Sequence, residues 1–177
     1  TKKNALSILD KAFEKGVNFL DTSDSYGHGL SEKIIGNFLR NKSKKVFVST
    51  KIGGKLKPFF PEYYTLKYLE PYINSSLKNL KIECVDLLQL HCPPKQVIEN
   101  YELHNQMEKL KKKGKIKRFG FSIFSIEEAN SVINFDNISS IQIVINLFRQ
   151  KSLKSILKKA YKKKIAVIAR GPFASGL

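Results

Sequence analysis

The chain has 177 residues, 42% of them apolar, and a formal charge of +17 from 32 lysines and arginines against 15 acids. That length builds one domain with a sizeable core, and the apolar share excludes a disordered chain. No apolar run approaches the ~20 residues of a bilayer span, no signal peptide opens the chain and two cysteines make no disulfide framework, so the cytoplasm is the default location.

In chain order, residues 3–15 carry Ala5, Leu6, Ile8, Leu9, Ala12 and Phe13, a helical stripe closed by Gly16. Residues 17–20 form an apolar run too short for a helix. Residues 31–40 are helical again, with Ile34, Ile35, Phe38 and Leu39 on one side. Residues 46–50, β-branched and aromatic, predict a strand, and a loop with Gly53, Gly54, Pro58 and Pro61 follows. Residues 65–80 repeat leucine and isoleucine at spacings of three and four. Pro71 inside that pattern predicts a bend, or a true start near Leu69 with the proline in the first turn. Strands follow at 84–90, 118–122, 141–145 and 165–169. Helices lie between them at 96–113, 126–134 and 153–163, with Ser125 as N-cap of the second.

The charge invites a nucleic-acid reading. Lysine is spread over the whole chain, however, and the clusters Lys111–Lys113 and Lys162–Lys164 fall at helix ends, where cations complement the helix dipole. No zinc-finger spacing, RNA-binding aromatic signature or paired basic helix is present, so no specific nucleic-acid partner is expected. Non-specific adhesion to polyanions at low salt is. His91-Cys92 lacks the further ligands of a metal site, and none is expected.

Six helix–strand pairs with short connections predict parallel βα units. The strands read as near-continuous apolar runs, as when both sheet faces are covered. No Gly-x-Gly-x-x-Gly follows a strand, which disfavours a Rossmann fold and leaves a (β/α)8 barrel. A closed barrel needs eight strands and about 250 residues. The expectation is therefore one barrel domain over residues 1–177, truncated at both ends. Thr1 in place of an initiator methionine agrees with a processed chain or a piece of a longer one.

In such barrels the chemistry sits at the C-terminal ends of the strands. There the sequence places Asp21 with Tyr26 in the following loop, then Lys51, His91, Ser122, Gln142 leading to Asn146, and Arg170. Each has a plain structural reading: a turn aspartate, a loop aromatic, a snorkelling lysine, a satisfied core histidine. Together at consecutive strand ends, Asp21, Tyr26, Lys51 and His91 make a chemical set. Tyrosine with its ordinary pKa near 10 is a weak acid, and an ammonium beside it stabilises the phenolate. A carboxylate fixes that ammonium, and an imidazole orients a carbonyl oxygen. The set suits protonation of an oxyanion formed on a reduced carbonyl. Lys55, Lys57, Phe59 and Phe60 read as an ordinary basic surface loop.

The segments G-V-N-F-L-D-T-S-D-S-Y-G-H-G-L-S-E, V-F-V-S-T-K-I-G, V-D-L-L-Q-L-H-C-P-P, I-K-R-F-G-F-S and I-A-V-I-A-R-G-P-F-A-S-G-L resemble, in order and spacing, those of the aldo-keto reductases. The resemblance implies a TIM barrel that reduces an aldehyde or ketone with a nicotinamide cofactor, NADP(H) first and NAD(H) as alternative. It implies a catalytic set of Asp21, Tyr26, Lys51 and His91, with Tyr26 as proton donor. Ser122 and Gln142 match positions that hold the nicotinamide carboxamide. Ile123 stands where asparagine is often found, and Arg170 where a stacking tyrosine is common; both read as traits of one branch of the family. A small carbonyl compound is the expected partner. A regulatory or scaffolding subunit of the same fold is the alternative.

Overall fold

The computed structural model describes residues 1–40, 42, 45–57 and 59–177. Pro58, read above as part of the loop after the second strand, lies outside the described residues. Among the described residues six strands are formed: β1 (Phe19–Asp21), β2 (Phe47–Ile52), β3 (Leu87–His91), β4 (Phe119–Ser122), β5 (Ser140–Val144) and β6 (Ala166–Arg170). Helices alternate with them: α1 (Lys2–Glu14), α2 (Leu30–Leu39), α3 (Leu66–Leu80), α4 (Lys95–Ile98), α5 (Tyr101–Lys112), α6 (Ile126–Ile133), α7 (Lys151–Ser155) and α8 (Leu157–Lys162). Every pairing between these strands is parallel, and strand order in the sheet equals order in the chain.

The sheet curls. In a flat sheet β1 and β5 would lie roughly 19 Å apart, four strand spacings. Yet Gln142 Nε2 on β5 donates to Asp21 Oδ2 on β1 at 3.1 Å. Six strands curled this way, with helices on the outside, form an incomplete (β/α)8 barrel.

The strand register separates two faces. Paired residues in a parallel sheet point the same way, so Asp21, Ser49, Lys51, Gln89, His91, Ser122, Gln142 and Arg170 share the inner face. Below them on that face lie Phe19, Phe47, Leu87, Ala166 and Ile168. Val48, Ile52, Leu88, Leu90, Phe119, Phe121, Ile141 and Ile143 take the alternate positions and pack into the core with Ile35, Leu69, Ile73, Leu103, Met107 and Val132 of the helices. The strands are thus not near-continuous apolar runs. Their outer face is apolar, while the upper inner face carries the polar groups that meet across the barrel.

The structure also corrects several element boundaries. β1, β2, β3 and β6 run one or two residues past the apolar runs, so Asp21, Lys51, His91 and Arg170 lie within strands rather than after them. Parallel pairing uses only the backbone, and polar inward-facing residues extend it freely. Residues 96–113 form two helices instead of one. Asn100 breaks the run because its side chain accepts from Glu102 N and Leu103 N at 3.0 and 3.2 Å and caps α5. Residues 153–163 likewise divide at Ile156, whose side chain is fully buried. Pro71 neither starts α3 nor ends it. The helix begins at Leu66 and continues through the proline, which leaves the Lys67 carbonyl without its usual donor. Ser125 caps α6 as expected, in a capping box with Glu128.

Among the described residues no helix is long and apolar enough to cross a membrane, and no group of three or more His, Cys, Asp or Glu side chains could hold a metal ion. Both cysteines are free thiols.

Candidate active site

The polar stretch after β1 stays attached to β2. Thr22 N donates to Ser49 O at 2.9 Å and Asp24 N to Lys51 O at 3.1 Å. The chain then turns through a short 3-10 segment, Tyr26–Gly29, into α2. Gly29 precedes the helix at φ 89°, with Asn79 Nδ2 3.0 Å from where a Cβ would stand, so only glycine fits both demands. This turn brings Tyr26 back over the strand ends.

Lys51 is fully buried on β2. Its ammonium donates to Asp21 Oδ2 at 2.5 Å and to the Thr22 carbonyl at 2.8 Å. It also lies 5.1 Å from the centre of the Tyr26 ring. A lysine without access to water keeps its charge only when paired, and Asp21 supplies the counter-charge. Gln89 Nε2 donates to the other carboxylate oxygen at 3.3 Å and Gln142 Nε2 to the first at 3.1 Å. Asp21 is therefore held by three side chains, from β2, β3 and β5.

His91 ends β3 with its ring edge-on to that of Tyr26, centroids 5.8 Å apart. Burial, then the positive charges of Lys51 and Arg170, lower its pKa to about 4 against the opposing pull of Asp21. The imidazole is neutral at pH 7. The structure thus brings Asp21, Tyr26, Lys51 and His91 to one side of the barrel mouth. A second histidine, His104, is buried in α5. Its two nitrogens lie 2.9 Å from Ile98 O and 3.1 Å from Asn137 Oδ1, and it stacks on Phe135.

On the other side of the mouth Ser122 Oγ donates to Gln142 Oε1 at 3.1 Å, and both side chains are buried. Arg170 Nη1 donates to Cys92 Sγ at 3.3 Å and its guanidinium stacks 4.6 Å over the Phe124 ring. Ile123 is buried in the apolar core and takes no part in the polar mouth. Asn146 closes a loop, accepting from Phe148 N and Arg149 N and donating to Gly171 O. Phe59 and Phe60 are exposed, as a surface loop would have them.

Sequence reasoning missed four polar residues around this site. Gln89 carried a signal, as a polar side chain set between Leu88 and Leu90 in a strand. Glu32 is fully buried and accepts from Thr50 Oγ1 at 2.7 Å and Asn79 Nδ2 at 3.0 Å, tying β2, α2 and α3 together. Ser23 and Asp24 are buried beside His91 and Lys51. Nothing in their spacing separates them from ordinary turn residues.

The mouth offers chemistry that a nicotinamide carboxamide would need. Ser122 Oγ keeps lone pairs to accept from an amide, and Gln142 keeps one N–H to donate. The residues present therefore fit that group.

Comparison with known proteins agrees with this arrangement. The family model described as Aldo/keto reductase family matches residues 1–177. An uncharacterized oxidoreductase of Bacillus subtilis (strain 168), YqkF, is 34% identical over 182 residues that cover 100% of this chain and 58% of the relative. The holo form of an aldo-keto reductase from Bacillus halodurans superposes with a TM-score of 0.86 at 26% identity, over 99% of this chain and 59% of that one. The glycerol dehydrogenase of Gluconobacter oxydans gives 0.81 at 31% identity, over 98% and 55%. The chain thus spans less than two thirds of the length of each of these three proteins. With its inner-face polar set, its parallel curled sheet and these matches over its whole length, the chain belongs to the aldo/keto reductase family.

Proposed function

We propose that the chain carries the reacting face of a nicotinamide-dependent oxidoreductase that reduces an aldehyde or ketone to an alcohol. The observation that supports this best is the fully buried Lys51, ion-paired to Asp21 and set beneath the Tyr26 ring beside a neutral His91. A cofactor, NADP(H) in preference to NAD(H), would be held at its nicotinamide end by Ser122, Gln142 and Arg170. Bound there, it would supply the hydride that the carbonyl carbon takes up.

Tyr26 gives its phenolic proton to the carbonyl oxygen as negative charge develops there. The Lys51 ammonium stabilises the phenolate left behind, and Asp21 keeps the ammonium in place. His91, being neutral, donates one ring N–H to the same oxygen and orients it without repelling Lys51. One hydride and one proton complete the alcohol.

The test is consumption of NADPH with a reactive aromatic aldehyde, on this chain and on the same chain extended at both ends. Tyr26→Phe is expected to lower turnover about 10²–10⁴-fold with the circular dichroism spectrum unchanged. Undiminished turnover in Tyr26→Phe would remove the tyrosine from the role of donor. Cofactor binding without turnover in either unsubstituted chain would favour a regulatory subunit that keeps the barrel.

A further inference from the structure

Ser23 lies between two titratable groups. Its Oγ is 3.1 Å from His91 Nδ1 and 3.2 Å from Asp24 Oδ1. One Oγ lone pair accepts from Ser25 N at 3.2 Å. Ser25 Oγ at 2.9 Å and the Lys51 carbonyl at 3.3 Å complete its surroundings, and that carbonyl already accepts from Asp24 N. A hydroxyl has one proton and two lone pairs. One proton and one lone pair therefore remain, and Asp24, His91 and the Ser25 hydroxyl compete for them.

With the Ser25 hydroxyl turned away, two arrangements couple Asp24 to His91. An ionised Asp24 takes the Ser23 proton. Ser23 Oγ must then accept from His91, so the imidazole carries its hydrogen on Nδ1. A protonated Asp24 instead donates to Ser23 Oγ. The Ser23 proton then goes to His91 Nδ1, and the imidazole carries its hydrogen on Nε2. Ser23 is the only hydrogen-bond partner of Nδ1 among the described residues. The Gly54 backbone also stands against that nitrogen, which lies 3.2 Å from where a Gly54 Cβ would be.

We propose that Asp24 is a positioning residue for His91, acting through Ser23: a proton on Asp24 turns the Ser23 hydroxyl toward Nδ1 and leaves Nε2 as the hydrogen-bearing nitrogen. The exchange balances. A proton arriving at Nε2 displaces the Nδ1 proton to Ser23 Oγ, and the Ser23 proton passes to Asp24 Oδ1. The net change is one proton gained, held on Asp24, with His91 neutral before and after.

The surroundings of Asp24 make it hold its proton to higher pH than a solvated aspartate. Its side chain is buried, and Oδ2 has no hydrogen-bond partner among the described residues. A bare buried oxygen costs less on a neutral carboxyl than on a carboxylate. Burial and the charge of Glu32 on α2 push its pKa up to about 6, against Lys55 in the loop after β2 and the hydrogen bonds from Ser23 and Ser25. Lys51 on β2, Arg170 on β6 and Asp21 on β1 face His91, and burial with the two cations keeps it from taking the proton itself.

The catalytic consequence rests on the reading of His91 as a donor to the carbonyl oxygen, because only the Nε2–H form can donate there. The relay does not depend on that reading. The test is nitrogen-15 NMR of histidine-labelled full chain, with His91 assigned through His91→Asn, followed from about pH 5 to 8. Below about pH 6 the unprotonated nitrogen of wild-type His91 is expected to be Nδ1, and above it the other form grows in. Asp24→Asn, whose amide can still donate to Ser23, is expected to hold the Nε2–H form throughout. Ser23→Ala is expected to abolish the pH response and lower kcat/KM about tenfold, the worth of one hydrogen bond. A wild-type His91 that keeps one tautomer over the whole range, or an Asp24→Asn chain that titrates like wild type, would overturn the relay. A titrating tautomer in a chain without turnover would uphold the relay and count against the reductase reading alone.

Discussion

At the scale of single residues, Asp24 and His91 make opposite demands on pH. His91 binds its proton more weakly than the ordinary 6.5, at about 4, because burial disfavours its charge. The unfolded chain takes up that proton first, so the His91 contribution is present above pH 6.5 and is lost as pH falls toward 4. Asp24 binds its proton more tightly than the ordinary 3.8, at about 6. The cost of its ionisation is absent below 3.8 and grows as pH rises through 6. The two slopes have opposite sign between about pH 4 and 6 and largely cancel in the wild-type chain. Asp24→Asn removes the Asp24 contribution and leaves the His91 slope unopposed, so its denaturation midpoint is expected to fall, relative to wild type, as pH drops from about 6 to 3.8. His91→Gln removes the His91 contribution, and its midpoint is expected to rise relative to wild type as pH drops from 6.5 to about 4. Urea titrations at several pH values check both. Parallel pH curves for all three chains would contradict the two shifts.

At the scale of elements, β4 leaves no room for a side chain where Gly120 faces Ser140 of β5. A Cβ on Gly120 would stand 2.1 Å from Ser140 Oγ and 2.5 Å from the Ser140 carbonyl oxygen. A rotamer change can move the hydroxyl, but the carbonyl belongs to the β5 ladder. Gly120→Ala is expected to cost about 1–3 kcal/mol and to lower Tm, as read by calorimetry, and an unchanged Tm would show that β5 yields. Such contacts explain what the sequence discloses and what it hides. Periodicity exposed the helices and the outer strand positions, because burial against helices demands apolar side chains at every second residue. It showed Asp21, Tyr26, Lys51 and His91 as a recurring polar residue after each apolar run. It could not show Asn100 ending one helix and starting the next, since asparagine also sits on exposed helix surfaces. Nor could it show Glu32 or Asp24 as buried, since carboxylates are usually solvated and only the meeting of α2, β2 and α3 removes the water.

At the scale of the whole molecule, the +17 charge acts beyond any single site. Lys111 and Lys117 are engaged by Glu108 and Asp86, and Glu70 holds both Lys113 and Lys115, yet the excess remains. Binding to double-stranded DNA is expected at about 50 mM salt, to be largely lost by about 200 mM and to show no sequence preference. Retention that ignores salt, in filter binding or on a heparin column, would point to a specific interface instead. The match of strand order to chain order has a consequence of another kind. Paired residues in the sheet are separated by as few as 20 positions (Gly120 with Ser140) and as many as 38 (Ser49 with Leu87). No strand waits for a distant segment before it can pair with its predecessor. Each βα unit has its template ready as it leaves the ribosome, so the sheet can grow from its N-terminal side during synthesis, one unit at a time.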